Sequence, residues 1–248
     1  MTIETEQDLE ALKHIGWIVA FTLQKMQRLT EPGMTTSELD MIGKSILAQY
    51  EAKSAPKLCY DFPGYTCISV NEEAAHGIPG DRIIKSGDVV NIDVSAEKNG
   101  YFGDTGGSFI VPPSNDLKNR LLSATKLALN TATHSARAGA PLNHIGKSIQ
   151  SVAKKKGFRI IKNLCSHGIG RQLHEEPTEI PGYYVPQDKR VLRAGQVITI
   201  EPFLSTKSRN VHETDDGWTL TGCAGNLSAQ FEHTMVITKT NPILLTVA

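Results

Sequence analysis

The chain has 248 residues, enough for one large domain or two small ones around a substantial core. Lysine plus arginine equals aspartate plus glutamate at 26 each, which gives no reason to expect nucleic-acid readout, an anionic membrane or a strongly acidic partner. No run approaches the ~18 apolar residues of a membrane span, the acidic start Met1-Thr2-Ile3-Glu4-Thr5-Glu6 lacks an apolar leader, and the four cysteines (Cys59, Cys67, Cys165, Cys223) form no Cys-x-x-Cys, so free thiols in a reducing cytoplasm are expected.

Thr5 with Asp8 reads as an N-cap and its N3 acid, and Leu9, Leu12, Ile15, Val19, Leu23 and Met26 follow at helical spacing up to Pro32-Gly33. Thr35 and Glu38 form a fuller capping box for a second helix with Leu39, Ile42, Ile46 and Tyr50 on one face, ending before Ser54-Ala55-Pro56. A short strand is expected at 66–70, then a glycine and proline loop at His76-Gly77-Ile78-Pro79-Gly80. Val89, Val90, Ile92 and Val94 lead to a turn signal at Lys98-Asn99-Gly100, and Tyr101, Phe102, Phe109, Ile110 and Val111 answer them, which predicts a β-hairpin. A third helix runs to about Ala136, Asn143 reads as the cap of a fourth, and Gly157 closes it. Strands are predicted at 159–164, 196–203, 217–221 and 228–238. Two helices followed by strands thus occur twice, at about 5–111 and 115–240, and Ile-Gly-Lys-Ser-Ile recurs at 42–46 and 145–149. This order suggests a duplicated unit within a single domain spanning 1–248.

Two aspartates sit in the hairpin. With a loop of Glu97 to Gly100, Asp93 and Asp104 lie opposite each other at about 4.5–5.5 Å; with a two-residue Asn99-Gly100 turn they are diagonal neighbours at about 7–8 Å. Either register leaves them on one face, because the slip is two residues and side-chain direction has period two. Acids so close repel unless one keeps its proton or a cation lies between them. Glu201 follows Val197-Ile198-Thr199-Ile200 and Glu232 precedes Met235-Val236-Ile237, so two more acids in apolar strands need partners. His167, in Ser166-His167-Gly168-Ile169-Gly170, supplies an imidazole. One imidazole and four carboxylates suit two divalent first-row cations sharing bridging carboxylates.

His76-Gly77-Ile78-Pro79, Asn91-Ile92-Asp93, Gly103-Asp104-Thr105, His167-Gly168-Ile169-Gly170, His174-Glu175-Glu176-Pro177, Thr199-Ile200-Glu201-Pro202 and Gln230-Phe231-Glu232-His233-Thr234 together resemble the signature blocks of the bacterial type I methionine aminopeptidases. The resemblance implies an α+β pita-bread fold, two pseudo-symmetric halves with helices outside and antiparallel sheet inside, around a dinuclear metal centre. It implies that Asp104 and Glu232 bridge the metals, that His167 and Glu201 complete the shell of one ion and that Asp93 chelates the other. By the same resemblance a metal-activated water attacks the first peptide bond, Glu201 shuttles its proton, His174 contacts the carbonyl oxygen and His76 lies near the scissile nitrogen. The ions it implies are drawn from Co, Mn, Fe and Zn. Cys59, Phe62, Cys67 and Trp218 match the pocket for the first side chain, with His76 at its rim, and a thioether suits such apolar and aromatic walls. The residue before the second catalytic histidine, often aromatic in the family, is Leu173 here. Glu175 and Glu176 are expected to be structural or solvated.

The activity implied is removal of the initiator methionine from nascent chains with a small second residue, in the cytoplasm, at or after the ribosome, by a monomer. A proline-directed peptidase of the same fold is the alternative enzyme, although such relatives carry an additional N-terminal domain that the few residues before the first helix do not supply. A non-catalytic pita-bread binding module is the other alternative, and the presence of all five candidate ligands weighs against it.

Overall fold

The computed structural model describes residues 1–248. Its first helix, α1 (Glu6–Leu29), opens on a capping box: the Asp8 amide donates to Thr5 Oγ1 at 3.1 Å and the Thr5 amide to Asp8 Oδ2 at 2.9 Å. Thr35 and Glu38 repeat the device at α2 (Thr36–Gln49). After β1 (Lys53–Ser54) comes a helix the apolar spacing does not reveal, α3 (Ala55–Tyr60), with a proline in its first turn and Asp61 in the left-handed region at its end. Strands β2 (Cys67–Val70) and β3 (Glu73–Ala75) precede the hairpin of β4 (Val89–Lys98) and β5 (Tyr101–Ile110). Lys98 pairs with Tyr101, and Asn99 (φ 53°) and Gly100 (φ 76°) form a two-residue turn with both central φ positive. Asp93 therefore faces Gly106, and Asp104 faces Ser95, the diagonal of the two expected registers. Strands β1, β2 and β5 all pair with β4, and α1 and α2 cover this sheet through Ile15, Val19, Leu39, Ile92 and Val94.

The second half opens with α4 (Asp116–Ser135), capped by Asn115 Oδ1, and α5 (Asn143–Lys156), closed by Gly157 in the left-handed region. Asn143 does not cap α5. It is the first helical residue, and its carboxamide instead donates to the carbonyls of Val185 (3.1 Å) and Asp188 (3.0 Å), tying down the loop beyond the sheet. The strands are β6 (Arg159–Ile160), β7 (Cys165–Gly168), β8 (Glu175–Pro181), β9 (Val197–Ile200), β10 (Phe203–Ser205), β11 (His212–Glu213), β12 (Leu220–Thr221), β13 (Ser228–Gln230), β14 (His233–Val236) and β15 (Ile243–Leu244). They form a five-stranded sheet in the order β15-β14-β9-β7-β8, a three-stranded sheet β13-β10-β6, and a small sheet β11-β12-β3 that joins the halves. Helices α4 and α5 cover the two larger sheets through Leu121, Ile145, Ile149, Ile198, Ile200 and Leu204.

Two long strands expected from the sequence are interrupted. Residues 196–203 divide into β9 and β10 around Glu201-Pro202, and 228–238 into β13 and β14 around Phe231-Glu232. The repeated pentapeptide lies in α2 and α5, the second helix of each half, and buries its glycine in both. A Cβ on Gly146 would come within 2.2 Å of the Tyr183 carbonyl oxygen, so α5 needs glycine there, whereas one on Gly43 would meet the flexible end of Met26, 2.8 Å from its sulfur.

The halves are sewn together along one line. Gly107 bridges Phe231, the Glu232 amide donates to the Gly106 carbonyl at 2.9 Å, and Thr105 Oγ1 donates to the Glu232 carbonyl at 2.9 Å. The Asp104 amide donates to Thr234 Oγ1, which returns its proton to the Asp104 carbonyl at 2.7 Å. Asp104 and Glu232, each from a different half, lie on that seam.

Candidate metal centre and substrate cavity

The five proposed ligands reach one place from five segments. Asp93 comes from β4, Asp104 from β5, His167 from β7, and Glu201 and Glu232 from the breaks flanking β9 and β14. His233 pairs with Ile200, so the register carried one step further sets Glu201 beside Glu232. His167 Nε2 lies 3.5 Å from Glu201 Oε1 and 3.8 Å from Asp104 Oδ2. Ligand atoms of Asp104, His167 and Glu232 all fall within 4.8 Å of one another. Gln230 Nε2 reaches Asp93 Oδ2 (3.2 Å) and Glu232 Oε2 (3.0 Å), which brings Asp93 into the same cluster.

Backbone and side-chain contacts fix these groups. His167 Nδ1 lies 2.9 Å from the Gly168 carbonyl; donation there leaves Nε2 as the free lone pair facing the acids. Burial, with the neighbouring His174 as a lesser cause, holds the His167 pKa down at about 3, so the ring is neutral, the form that binds a metal. The His167 amide donates to Thr199 Oγ1 (3.1 Å), whose hydroxyl donates to Glu201 Oε1 (2.9 Å), and the Glu201 amide donates to Ser166 Oγ (2.9 Å).

The electrostatics call for a cation. Burial pushes Asp93 up to about 6 and raises Asp104, Glu201 and Glu232 well above the usual carboxylate range, with neighbouring acid charges adding to the rise in the last three. Asp104 Oδ1 and Glu232 Oε1 are buried with no hydrogen-bond partner. Uncompensated buried acceptors cost free energy, and an all-oxygen set with one neutral imidazole is the donor chemistry of hard to borderline divalent ions. The residues present therefore fit the metals the sequence implies.

A cavity of about 450 Å³ opens onto the cluster. Phe62, Cys67, Trp218, His76 and His174 line it as expected, together with Leu173, Phe203, Leu220 and Tyr60. Phe62 is buried and meets Trp218 edge-on at 5.2 Å between centroids. Asp40 holds the segment before Cys67 by accepting from the Tyr65 and Thr66 amides. Cys67 pairs with Asp93 across β2 and β4, and burial followed by that acid's charge raises its thiol pKa well above normal, so it is an apolar wall rather than a thiolate ligand. Cys59 is exposed and does not line the cavity, whereas the adjacent Tyr60, itself 46% exposed, lines its open side. The Tyr60 hydroxyl lies 2.7 Å from His174 Nδ1, and the His174 ring is 4.2 Å from that of His167. Tyr60 is a site residue that sequence reasoning missed, and only its place beside Cys59 could have drawn attention to it. His76 takes a left-handed backbone (φ 55°) at the cavity wall, and burial, then His174, lowers its pKa.

Glu175 is structural, as expected. It accepts from the Gln172 amide (2.7 Å) and the Arg171 amide, and pairs with the Met1 ammonium at 2.5 Å, fixing the loop that carries His174.

A family model described as metallopeptidase family M24 matches residues 10–239. The chain is 47% identical over 247 residues to methionine aminopeptidase 2 of Bacillus subtilis (strain 168), covering 99% of each, and 37% identical to the methionine aminopeptidase of Escherichia coli (strain K12), covering 99% of this chain and 94% of that one. The crystal structure of a methionine aminopeptidase from Thermotoga maritima superposes with a TM-score of 0.95 at 34% identity over the whole of both chains, which makes the fold the expected pita-bread arrangement. A prolidase from Pyrococcus furiosus shares the fold at 22% identity and TM-score 0.80, with this chain covering 66% of it.

Proposed function

The chain belongs to metallopeptidase family M24, and from that premise we propose that it is a methionine aminopeptidase, removing the first methionine from nascent chains whose second residue is small. The observation that carries the reading is the pair of partnerless buried oxygens, Asp104 Oδ1 and Glu232 Oε1, beside a neutral imidazole at the end of a largely apolar cavity. Proline-directed relatives are more distant in sequence.

In this reading Asp93, Asp104, His167, Glu201 and Glu232 would hold two divalent ions, His167 and Glu201 serving one, Asp93 the other, with Asp104 and Glu232 shared between them. Such ions lower the pKa of a water and polarise the scissile carbonyl. Phe62, Cys67, Trp218 and Leu173 enclose the unbranched thioether of the first residue, excluding water from it. With the Tyr60 hydroxyl donating to Nδ1, His174 presents Nε2–H to the carbonyl oxygen as negative charge develops there. Glu201 takes the proton from the attacking water and passes it to the leaving nitrogen, which His76 helps to hold. Residues 1–248 act as one catalytic domain, as a monomer in the cytoplasm, where nascent N-termini emerge from the ribosome. No helix is long and apolar enough to cross a membrane.

The test is hydrolysis of a Met-Gly-Met peptide. Chelation should abolish turnover and Co²⁺, Mn²⁺ or Fe²⁺ restore it, while Glu201→Gln should lower kcat by about 100-fold or more. Chelator-resistant turnover, a fully active Glu201→Gln protein, or preference for an Xaa-Pro dipeptide would overturn the proposal.

A further inference from the structure

Gln230 stands in a position that the ligand set does not explain. Its side chain lies behind the acids, wholly buried, and the single Nε2 donates to Asp93 Oδ2 at 3.2 Å and to Glu232 Oε2 at 3.0 Å. A carboxamide has two N–H protons on one nitrogen, so each acid receives one. With both acids ionised, as metal ligands must be, the reverse orientation would set the amide oxygen against two carboxylates, which selects this assignment. The whole carboxamide packs on Gly106, where a Cβ would stand 2.1 Å from Oε1 and 2.6 Å from Nε2, and Oε1 has no hydrogen-bond partner of its own. Gly106 is also the residue opposite Asp93 in the hairpin, so the missing side chain on β5 is the space the carboxamide fills.

Gln230 is itself held at both ends of its peptide unit. Its amide donates to Ser108 Oγ (2.9 Å), and that hydroxyl lies 3.1 Å from the Gln230 carbonyl and 3.0 Å from Asn91 Oδ1. Asn91 is two residues before Asp93, and Gln230 two before Glu232, so one small network spaces the two acid-bearing segments.

Resting on the metallopeptidase reading above, we propose that Gln230 is a positioning residue for the metal centre: it commits one oxygen of Asp93 and one of Glu232 to hydrogen bonds, which orients both carboxylates toward the ions, and Gly106 is the glycine that makes room for it. Glu232 shows the consequence directly, since Oε2 is taken by Gln230 while Oε1 is left without a partner. Groups that orient metal ligands in this way typically change affinity by about 10–100-fold when removed.

Two variants test this by different routes. Gln230→Met keeps the length of the side chain and removes the donor; Gly106→Ala keeps the donor and displaces it. Mn²⁺ and Co²⁺ affinities are measured by calorimetry on chelator-treated protein, with the Co²⁺ absorption spectrum and the metal-free Tm recorded beside them. Weakening of one or both ions by about 10–100-fold in both variants, with an altered Co²⁺ spectrum, is the expected result. A lowered metal-free Tm with unchanged metal affinities and spectrum would mean a packing role only and would overturn the inference. Failure of the parent protein to bind either ion would instead sink the metallopeptidase reading on which it rests.

Discussion

Metal-free protein carrying Asp93→Asn should be more stable than the metal-free parent at neutral pH, although the substitution removes a proposed ligand. Asp93 is pushed up to about 6 from an ordinary 3.8, by burial first. In the unfolded chain it ionises near the ordinary value, so between these pH values the folded state binds more protons than the unfolded one. Its contribution is fully present below pH 3.8 and is lost as pH rises through about 6. The interval corresponds to about 3 kcal/mol, at ~1.4 kcal/mol for each tenfold change. For a chain of this length that is a Tm difference of about 6–12 °C. The carboxamide that replaces the acid is neutral at every pH, and removing the Asp93 charge also relieves Asp104, Glu201 and Glu232, whose pKa values that charge helps to raise. The assay is differential scanning calorimetry of both proteins after chelation, from pH 4 to 7.5. Parent and variant should nearly coincide at pH 4, and the variant should lead by an amount approaching 3 kcal/mol at neutral pH, or about 6–12 °C. With saturating Mn²⁺ the order should reverse, because binding stabilises the parent by mass action. A gap that does not vary with pH, or a variant less stable than the parent when both lack metal at pH 7, would refute the reasoning.

Tyr60→Phe keeps the cavity wall and removes the hydroxyl at His174 Nδ1; kcat for a Met-Gly-Met peptide should fall about 3- to 10-fold with little change in KM, as expected for losing one hydrogen bond of about 0.5–1.5 kcal/mol, and an unchanged kcat would remove Tyr60 from the mechanism. Arg171 stacks over the Tyr101 ring at 3.6 Å and donates to Asp8 Oδ1 at 2.9 Å, so it ties the loop before His174 to the hairpin and to α1. Arg171→Ala should cost about 1–2 kcal/mol by thermal denaturation and lower kcat/KM, whereas an unaltered Tm would show that the stacked guanidinium contributes nothing.

The parts legible in the sequence were those where local chemistry states its own requirement. Thr5 with Asp8 and Thr35 with Glu38 mark helix starts because the backbone there needs acceptors, and Asn99-Gly100 marks the turn because both residues tolerate positive φ. The acids stood out because carboxylates among valines and isoleucines are anomalous until something pairs with them. What stayed hidden depends on distant partners. The strand bearing His167, Cys165–Gly168, has no apolar pattern because its inner positions are polar residues that serve the site, Ser166 receiving the Glu201 amide and His167 facing the acids. Strand β8 contains Pro177, which an edge strand tolerates but a pattern search rejects. Asn143 looks like a cap because Asn often is one; that its carboxamide serves a loop more than forty residues away is tertiary information. Cys59 and Tyr60 differ by one position on a six-residue helix whose rotation no local signal sets.

The breaks at Glu201-Pro202 and Phe231-Glu232 explain why the acids can be buried without wrecking the sheet. Pairing is continuous in register on both sides, with Ile200 opposite His233 and Phe203 opposite Gln230. Between them Pro202 has no N–H to offer, so the ladder must open there. Glu201 and Glu232 are the next pair along, one whose main-chain groups point away from each other, as those of Gln230 do in meeting Ser108 Oγ: the Glu201 amide goes to Ser166 Oγ, and the Glu232 amide goes to the Gly106 carbonyl in the other half. The outward-pointing Glu232 amide thus provides a main-chain link across the seam. By the same register the two carboxylates lie side by side and meet His167, Asp93 and Asp104 rather than the apolar layers beneath α4 and α5. The proline removes one ladder bond beside Glu201, and the main-chain link between the halves is made by the amide of Glu232 on the neighbouring strand.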